Sequence, residues 1–338
     1  MQKPLVVAIS FICASLFFWS TLECVSYAQV QPTVAADTTR GIELYNRGNI
    51  DDALKTLSKA VRQNSSDGNA WYYFGLALNR KESSWIEQGS SSKVWTSREA
   101  FERAAYLLPN FAPAHRELAY TLLLANEARR ASAEAERALE LGEKSAQSNY
   151  IIGEVNLRAK EYDKALGSAE TALRLTPDFP PALLLKSQAL SDTERFTEAV
   201  VSLERFLAVS PGDPDAEAWR EQLDTLRQRS NAITTEAPSN QDKVFSSKET
   251  ARKFRILYKP EANYTEAARK AGVSGMVSLR VVMSSDGLVK QVFILQSLSH
   301  GLTKMAVEAV HKIKFEPATI DNHSVSVYAR IEYQFNLY

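Results

Sequence analysis

The sequence predicts an α-helical solenoid of stacked helix pairs followed by a small α+β domain in which helices back a three-stranded antiparallel sheet. Three observations carry this expectation. Small residues and prolines recur at a spacing of 34 through the middle of the chain. Apolar periodicity then lapses over residues 230–250, where Ser, Thr, Asn and Gln take over. Beyond that stretch the period of the apolar residues changes from 3.6 to 2. The chain therefore divides into an export segment at 1–28, five helix-pair repeats with a capping helix at 34–229, a linker at 230–250 and a terminal domain at 251–338.

At 338 residues, 45% hydrophobic and 24% charged, the chain has ordinary globular composition and room for two domains. Formal net charge is zero. The middle is mildly acidic and the tail mildly basic, far from the clustered basic surface of a nucleic-acid binder, so nucleic acid is excluded as a partner.

The N-terminus carries Lys3, then no charge until Glu23, and Leu5 to Leu22 is apolar apart from scattered Ser and Thr. That is the layout of an export signal. Ser26-Tyr27-Ala28 puts small residues at the positions signal peptidase requires for a cut after Ala28. Uncut, the same run is long enough to cross a bilayer with the N-terminus cytoplasmic. Leu22-Glu23 ahead of Cys24 does not suit lipidation. Cys13 and Cys24 both precede the cut, so a processed chain has no thiol for disulfide, metal or catalysis.

In the repeats, Ala131, Ala165 and Ala199 are 34 residues apart, as are Ala104, Ala138 and Ala172, and Pro109, Glu143, Pro177 and Pro211. Antiparallel helices approach closely only where small residues meet at the crossing, and Pro after the second helix ends it. The repeats begin at residue 34, Gly68, Ala112, Ala146 and Pro180. The second is stretched by about ten residues within Asn79 to Ser97, at the turn between its helices. Asp215 to Arg229 is amphipathic and reads as the capping helix, with Ala218, Leu223 and Leu226 turned inward. Gly153, Leu157, Tyr162, Ala165, Ala172 and Pro177 stand where the tetratricopeptide pattern has its Gly, large, aromatic, Ala, Ala and Pro positions, and the segment resembles tetratricopeptide repeats. The resemblance implies a concave groove lined by each first helix that binds peptides or proteins. Carried over by position, it includes Tyr72, Arg80, Arg116, Tyr120, Tyr150, Glu154, Arg158 and Gln188. No Lys and Asn cluster matches the carboxylate clamp of some family members.

In the terminal domain, Val277, Leu279, Val281 and Met283 alternate with Ser278, Arg280 and Val282, a strand with one buried face. Ser285-Asp286-Gly287 makes a turn, and Val289 to Leu295 returns as the hairpin partner. Leu302, Met305, Ala306, Ala309, Val310 and Ile313 mark an amphipathic helix over that hairpin. In the last strand Val325, Val327, Ala329, Ile331, Tyr333, Phe335 and Leu337 share one face. A short helix over Ala267 to Ala271 is expected first, with Asn263 and Glu266 as a capping box and Gly272 as its stop.

Tyr264 with Ala267-Ala268, Gly272-Val273-Ser274-Gly275-Met276-Val277, Asp286-Gly287-Leu288-Val289, Ala306 with Ala309-Val310, and Phe315-Glu316-Pro317-Ala318 together resemble the TonB C-terminal domain. Lys259-Pro260 departs from the family in lying well ahead of Tyr264, and the linker is shorter than the usual spacer. The resemblance implies a last strand at a sheet edge that pairs with a short peptide of an outer-membrane transporter. An edge strand leaves backbone groups unpaired, and an added strand satisfies them. That edge is Ser324 to Asn336, with Ser324, Ser326, Tyr328, Arg330, Glu332, Gln334 and Asn336 as its outward residues. A transducing TonB protein has a His in its membrane helix; the first 30 residues here contain none.

His115, His300, His311 and His323 have no paired metal spacing, and no phosphate-cradling loop or nucleophile elbow is present. Asp51-Asp52 suits a helix start. The expectation is thus no enzyme, no cofactor and no metal, but a periplasmic envelope adaptor with protein or peptide partners. Membrane contact is expected only through an uncleaved N-terminal segment. The alternatives are a structural scaffold without a transporter partner, and an inner-membrane-anchored energy transducer.

Overall fold

The computed structural model describes residues 36–81, 85–86, 94–234, 244–245 and 252–337. The N-terminal segment, with its Ala28 cut and Leu5 to Leu22 run, lies outside them. Five helix pairs follow one another: α1 (Ala36–Asn46) and α2 (Ile50–Gln63), α3 (Gly68–Lys81) and α4 (Ser97–Leu107), α5 (Ala112–Leu124) and α6 (Ala128–Glu140), α7 (Ala146–Arg158) and α8 (Tyr162–Leu175), α9 (Pro180–Asp192) and α10 (Phe196–Val209). Between α3 and α4, β1 (Trp85–Ile86) and β2 (Val94–Trp95) form a short antiparallel ladder within the predicted insertion.

Local chemistry starts these helices. Proline in the first turn of α5 and α9 loses no hydrogen bond there. Thr96 and Glu99 cap α4 reciprocally, and the Ser145 hydroxyl accepts from Ser148 N at 3.1 Å before α7. The turns joining the helices of repeats one, three, four and five each place a residue at positive φ: Gly48 (81°), Asn126 (61°), Lys160 (63°) and Glu194 (60°). The small residues lie where the packing argument puts them. A Cβ on Gly41 would stand 2.6 Å from Leu57, and one on Gly75 2.6 Å from Phe101. Ala53, Ala131, Ala165 and Ala199 are fully buried.

Helix α11 (Ala216–Thr234) closes the solenoid with Ala218, Trp219, Leu223 and Leu226 buried. After it come β3 (Val244–Phe245), β4 (Arg255–Tyr258), α12 (Glu266–Lys270), β5 (Gly275–Met283), β6 (Val289–Gln296), α13 (Leu302–His311), β7 (Lys314–Glu316), β8 (Ala318–Ile320) and β9 (His323–Phe335). The main sheet has the order β3-β9-β5-β6, with β9 and β6 antiparallel to β5; β8 also pairs with β9. Strands β4 and β7 form a separate antiparallel pair. Helix α13 packs on the face carrying Val277, Leu279 and Val281.

Two sequence expectations need correction. The cap of α12 is Thr265, not Asn263: the Thr265 hydroxyl accepts from Ala268 N at 3.2 Å and donates to His300 O at 2.7 Å. The helix does stop at Gly272, whose φ of 68° lets Val273 N reach Ala268 O at 3.0 Å. Nor does β5 have a single buried face. Ser278 and Val282 are 0% and 4% exposed, because the second face of the sheet lies against the solenoid. There Phe293 meets Phe196 of α10 edge-on at 6.1 Å, and Arg280 lies 4.7 Å from the Phe293 ring centre. One apolar core runs from α9, α10 and α11 into the sheet and α13.

Candidate functional site

Two surfaces are at issue, the solenoid groove and the β9 edge. Their geometry depends on how the terminal domain sits on the solenoid.

Asp215, at the start of α11 and 3% exposed, accepts from Gly301 N at 3.0 Å and Lys304 N at 2.7 Å. Gly301 offers α13 no side-chain cap, so a solenoid carboxylate serves instead. Two turns further, Gln222 Oε1 accepts from Ile294 N at 2.8 Å, which ties α11 to β6. Lys304 pairs with Glu217 at 2.6 Å and His311 with Glu221 at 2.8 Å. Farther into the groove, Ser274 N donates to Leu124 O at 2.9 Å, and Gln188 Nε2 to Ser297 Oγ at 3.0 Å.

The eight groove residues separate into two groups. Tyr150, Glu154 and Arg158 line a pocket of about 100 Å³ closed by Val273 and Leu298 of the terminal domain. Glu154 is 6% exposed and pairs with Arg158 at 3.2 Å; Arg158 also donates to Asn126 Oδ1 at 3.1 Å. Burial raises the Tyr150 phenol well above its ordinary pKa. With Gln188 bonded to Ser297, the groove over repeats four and five is filled by the chain's own tail. Tyr120 stays in an open cleft over repeats two and three. The others lie apart from the tail. Tyr72 is 7% exposed and packs edge-on against Phe111 at 5.0 Å. Arg80 stacks over Tyr45 at 5.6 Å. Arg116 is forked onto Glu117 at 2.9 Å and also bonded to Glu143, while burial raises the Glu117 carboxyl.

At the β9 edge, Ser324 pairs with Thr319 of β8, and Ser326 lies opposite Val244 of β3 in a parallel ladder. Ser326 Oγ also accepts from Ser285 N at 3.1 Å. Tyr328 is held by Arg229, which bonds its hydroxyl and stacks over its ring at 5.1 Å. Arg330 donates to Ser278 Oγ at 2.8 Å and pairs with Glu332 at 3.0 Å. Gln334 Nε2 donates to Asn336 Oδ1 at 3.0 Å. From Tyr328 to Phe335 no strand pairs with the outer side of β9 among the described residues. Lys259 Nζ reaches Glu332 O there at 2.6 Å, so that carbonyl points outward. A cleft of about 660 Å³ runs along this side, bounded by Lys259, Pro260, Tyr264, Glu332 and Gln334. The opposite edge, β6, is covered by α11.

Sequence reasoning did not anticipate Asp215 and Gln222 as inter-segment contacts, because polar residues near a helix start ordinarily cap their own helix. The buried carboxylates have a consequence for pH. Burial pushes Asp215 up to about 6, against the bonds from Lys304 and Gly301, with Asp213 alongside adding to the rise. Burial likewise pushes Asp192 up to about 6, opposed by Arg280, Arg330 and Lys160. Glu221 raises His311. Each of these groups binds its proton more tightly folded than unfolded, so the stability it contributes is present at low pH and lost as pH rises, for the two carboxylates through about 6. The melting temperature is expected to be higher at pH 5 than at pH 7.5, with Asp215 contributing about 1 kcal/mol of the difference. Below about pH 4 the trend reverses, because Glu217 and Glu316 are held below their ordinary range by Lys304 and Arg255. Thermal melts across pH check this, and Asp215→Asn should flatten the rise between pH 7.5 and 5.

Among the described residues no group of His, Cys, Asp and Glu is arranged to hold a metal. No helix among them is long and apolar enough to cross a membrane.

Comparison with known proteins agrees with this architecture. Residues 260–337 match the model of the Gram-negative bacterial TonB protein C-terminal, and residues 38–83 and 116–180 match the tetratricopeptide repeat model. No curated protein matches the chain. Similar solved structures include YrrB, described as a tetratricopeptide-repeat protein with an unusual peptide-binding site, at 17% identity over 60% of this chain and 97% of that one, TM-score 0.43. PilW, a type IV pilus biogenesis factor, matches at 14% identity over 59% and 87%, TM-score 0.46. Pseudomonas aeruginosa pilF matches at 16% identity over 59% and 86%, TM-score 0.45. Both matched modules serve protein interaction, and the second points to the Gram-negative envelope. The chain combines tetratricopeptide repeats with a C-terminal domain of the TonB type.

Proposed function

We propose that the protein is a periplasmic adaptor whose β9 edge takes up an extended peptide of an outer-membrane transporter while the solenoid engages a second protein. The observation that carries this reading is the asymmetry of the sheet edges. Helix α11 lies on β6, whereas the outer side of β9 over Tyr328 to Phe335 has no strand against it among the described residues. An incoming strand would satisfy the outward backbone groups of β9. The linker strand β3 already makes such a contact over Ser326 and Val327, in parallel register. The terminal domain shares its core with α9, α10 and α11, so the adaptor acts as one body.

Glu332→Pro tests the edge. With its carbonyl outward, the Glu332 N–H also faces out, and proline there removes a donor without cutting the β5 ladder. Titration of the full chain with a synthetic N-terminal peptide of an outer-membrane transporter should show binding that weakens at least about tenfold in Glu332→Pro, a loss of about 1.4 kcal/mol. Equal binding by both proteins, or by neither, would remove the transporter reading and leave the scaffold.

A further inference from the structure

The groove over repeats four and five is filled by the terminal domain, but the stretch over repeats two and three stays open and has acquired a second wall. A cleft of about 760 Å³ lies between α3, α4 and α5 on one side and α12 with its following turn on the other. That volume falls within the range of small-ligand and peptide clefts, about 300–1,000 Å³. The Ser274 N to Leu124 O bond at 2.9 Å holds the two walls together at the inner end.

Its chemistry is one-sided. Tyr120 and Leu124 give an apolar floor on the solenoid, and Leu337 adds to it from the tail. Arg98, Arg269, Lys270 and His300 supply the ionisable groups, and among the described residues no Asp or Glu lines the cleft. The solenoid as a whole carries more acidic than basic residues, so this lining runs against the local balance. Arg98 is already paired with Glu127 at 2.6 Å, whereas Arg269 has a longer ion pair with Glu266, at 3.9 Å, and lies 5.3 Å from the Tyr264 ring centre. The exposed charge therefore rests mainly on Arg269 and Lys270. Both stand in the last turn of α12, where cations are already favourable; what adds a ligand role is the cleft they border, with its basic side chains and no carboxylate among the described lining residues.

We propose that this composite cleft binds an extended acidic peptide of a partner protein, with an apolar side chain against Tyr120 and Leu124 and its carboxylates toward Arg269 and Lys270. The proposal deepens the protein-binding reading of the solenoid and rests on it. The site exists only in the docked chain, since neither wall alone encloses it.

The test uses the full chain as bait for a displayed library of random dodecapeptides, followed by fluorescence polarisation with the most enriched peptide, dye-labelled. Enrichment of Asp or Glu beside Leu, Ile or Phe is expected, with binding at least tenfold weaker in the Arg269→Glu, Lys270→Glu double variant and unchanged in Glu332→Pro. The two replaced side chains are exposed, and a circular dichroism melt verifies that the variant folds. Enrichment of basic or uncharged peptides, no enrichment, or binding indifferent to the charge reversal would overturn the cleft. A peptide lost in Glu332→Pro and kept in the double variant would place binding on the β9 edge, leaving the adaptor reading intact while the cleft proposal fails.

Discussion

Replacing Asp215 by alanine is expected to destabilise the protein by about 2–3 kcal/mol and to release the terminal domain from the solenoid. The carboxylate satisfies two backbone donors, Gly301 N and Lys304 N, at the start of a helix 86 residues away, and Gly301 brings no side chain to replace it. Both donors lie at a buried seam. Without Asp215 the first turn of α13 loses its cap and the seam opens beside Lys304, Gln222 and His311. The readouts are a lower melting temperature and faster proteolytic cutting between Thr234 and Arg252. Asp215→Asn keeps an acceptor oxygen and should recover much of the loss. Equal protease resistance in Asp215→Ala and the parent chain would mean the docking does not depend on this contact.

The second large effect lies inside the solenoid. Gly153→Val is expected to cost about 3 kcal/mol, because a Cβ there would stand 2.5 Å from Leu185 Cδ2, 3.0 Å from Ser168 Cβ and 3.3 Å from the Ala165 carbonyl oxygen. Leu185 is 1% exposed and has nowhere to turn, and the Ala165 carbonyl belongs to the backbone of α8. Relief requires α7 to move away from both α8 and α9. The control is Gly167→Ala on α8, where nothing lies within 4 Å of the added carbon. That change should stabilise the chain by about 0.5–1 kcal/mol through helix propensity alone. Denaturant melts of the two variants should therefore shift in opposite directions. A shift in the same direction would mean that crossing distance does not control this repeat.

Gly153 illustrates why the solenoid could be read from sequence. Gly41, Gly75, Ala119, Gly153 and Ser187 occupy equivalent positions in the five repeats, and each first helix must present a small residue to its partner there. A local packing constraint that recurs leaves a visible period. The turns were less legible. Asn126, Lys160 and Glu194 all adopt positive φ without being glycine, because the helix-to-helix geometry imposes the conformation and only Gly48 advertises it. Strand β4 was also missed. All four of its residues are exposed, so Ile256, Leu257 and Tyr258 carry no burial pattern to read, and the strand exists through its ladder with β7.

The sequence by itself determined the five helix pairs, the capping helix, the β5–β6 hairpin, α13 and the alternation along β9. Each of these is set by contacts that repeat at helical or strand spacing, and such contacts constrain composition locally. Tertiary structure alone decided that the tail fills part of the groove, that α11 covers one sheet edge and leaves β9 open, and that β5 is buried on both faces. Those outcomes rest on single, non-repeating contacts between distant segments: Asp215 with Gly301, Gln222 with Ile294, Phe196 with Phe293. A buried carboxylate that caps another segment's helix carries the same letter in the sequence as one that caps its own, so docking became visible only once the chain was folded.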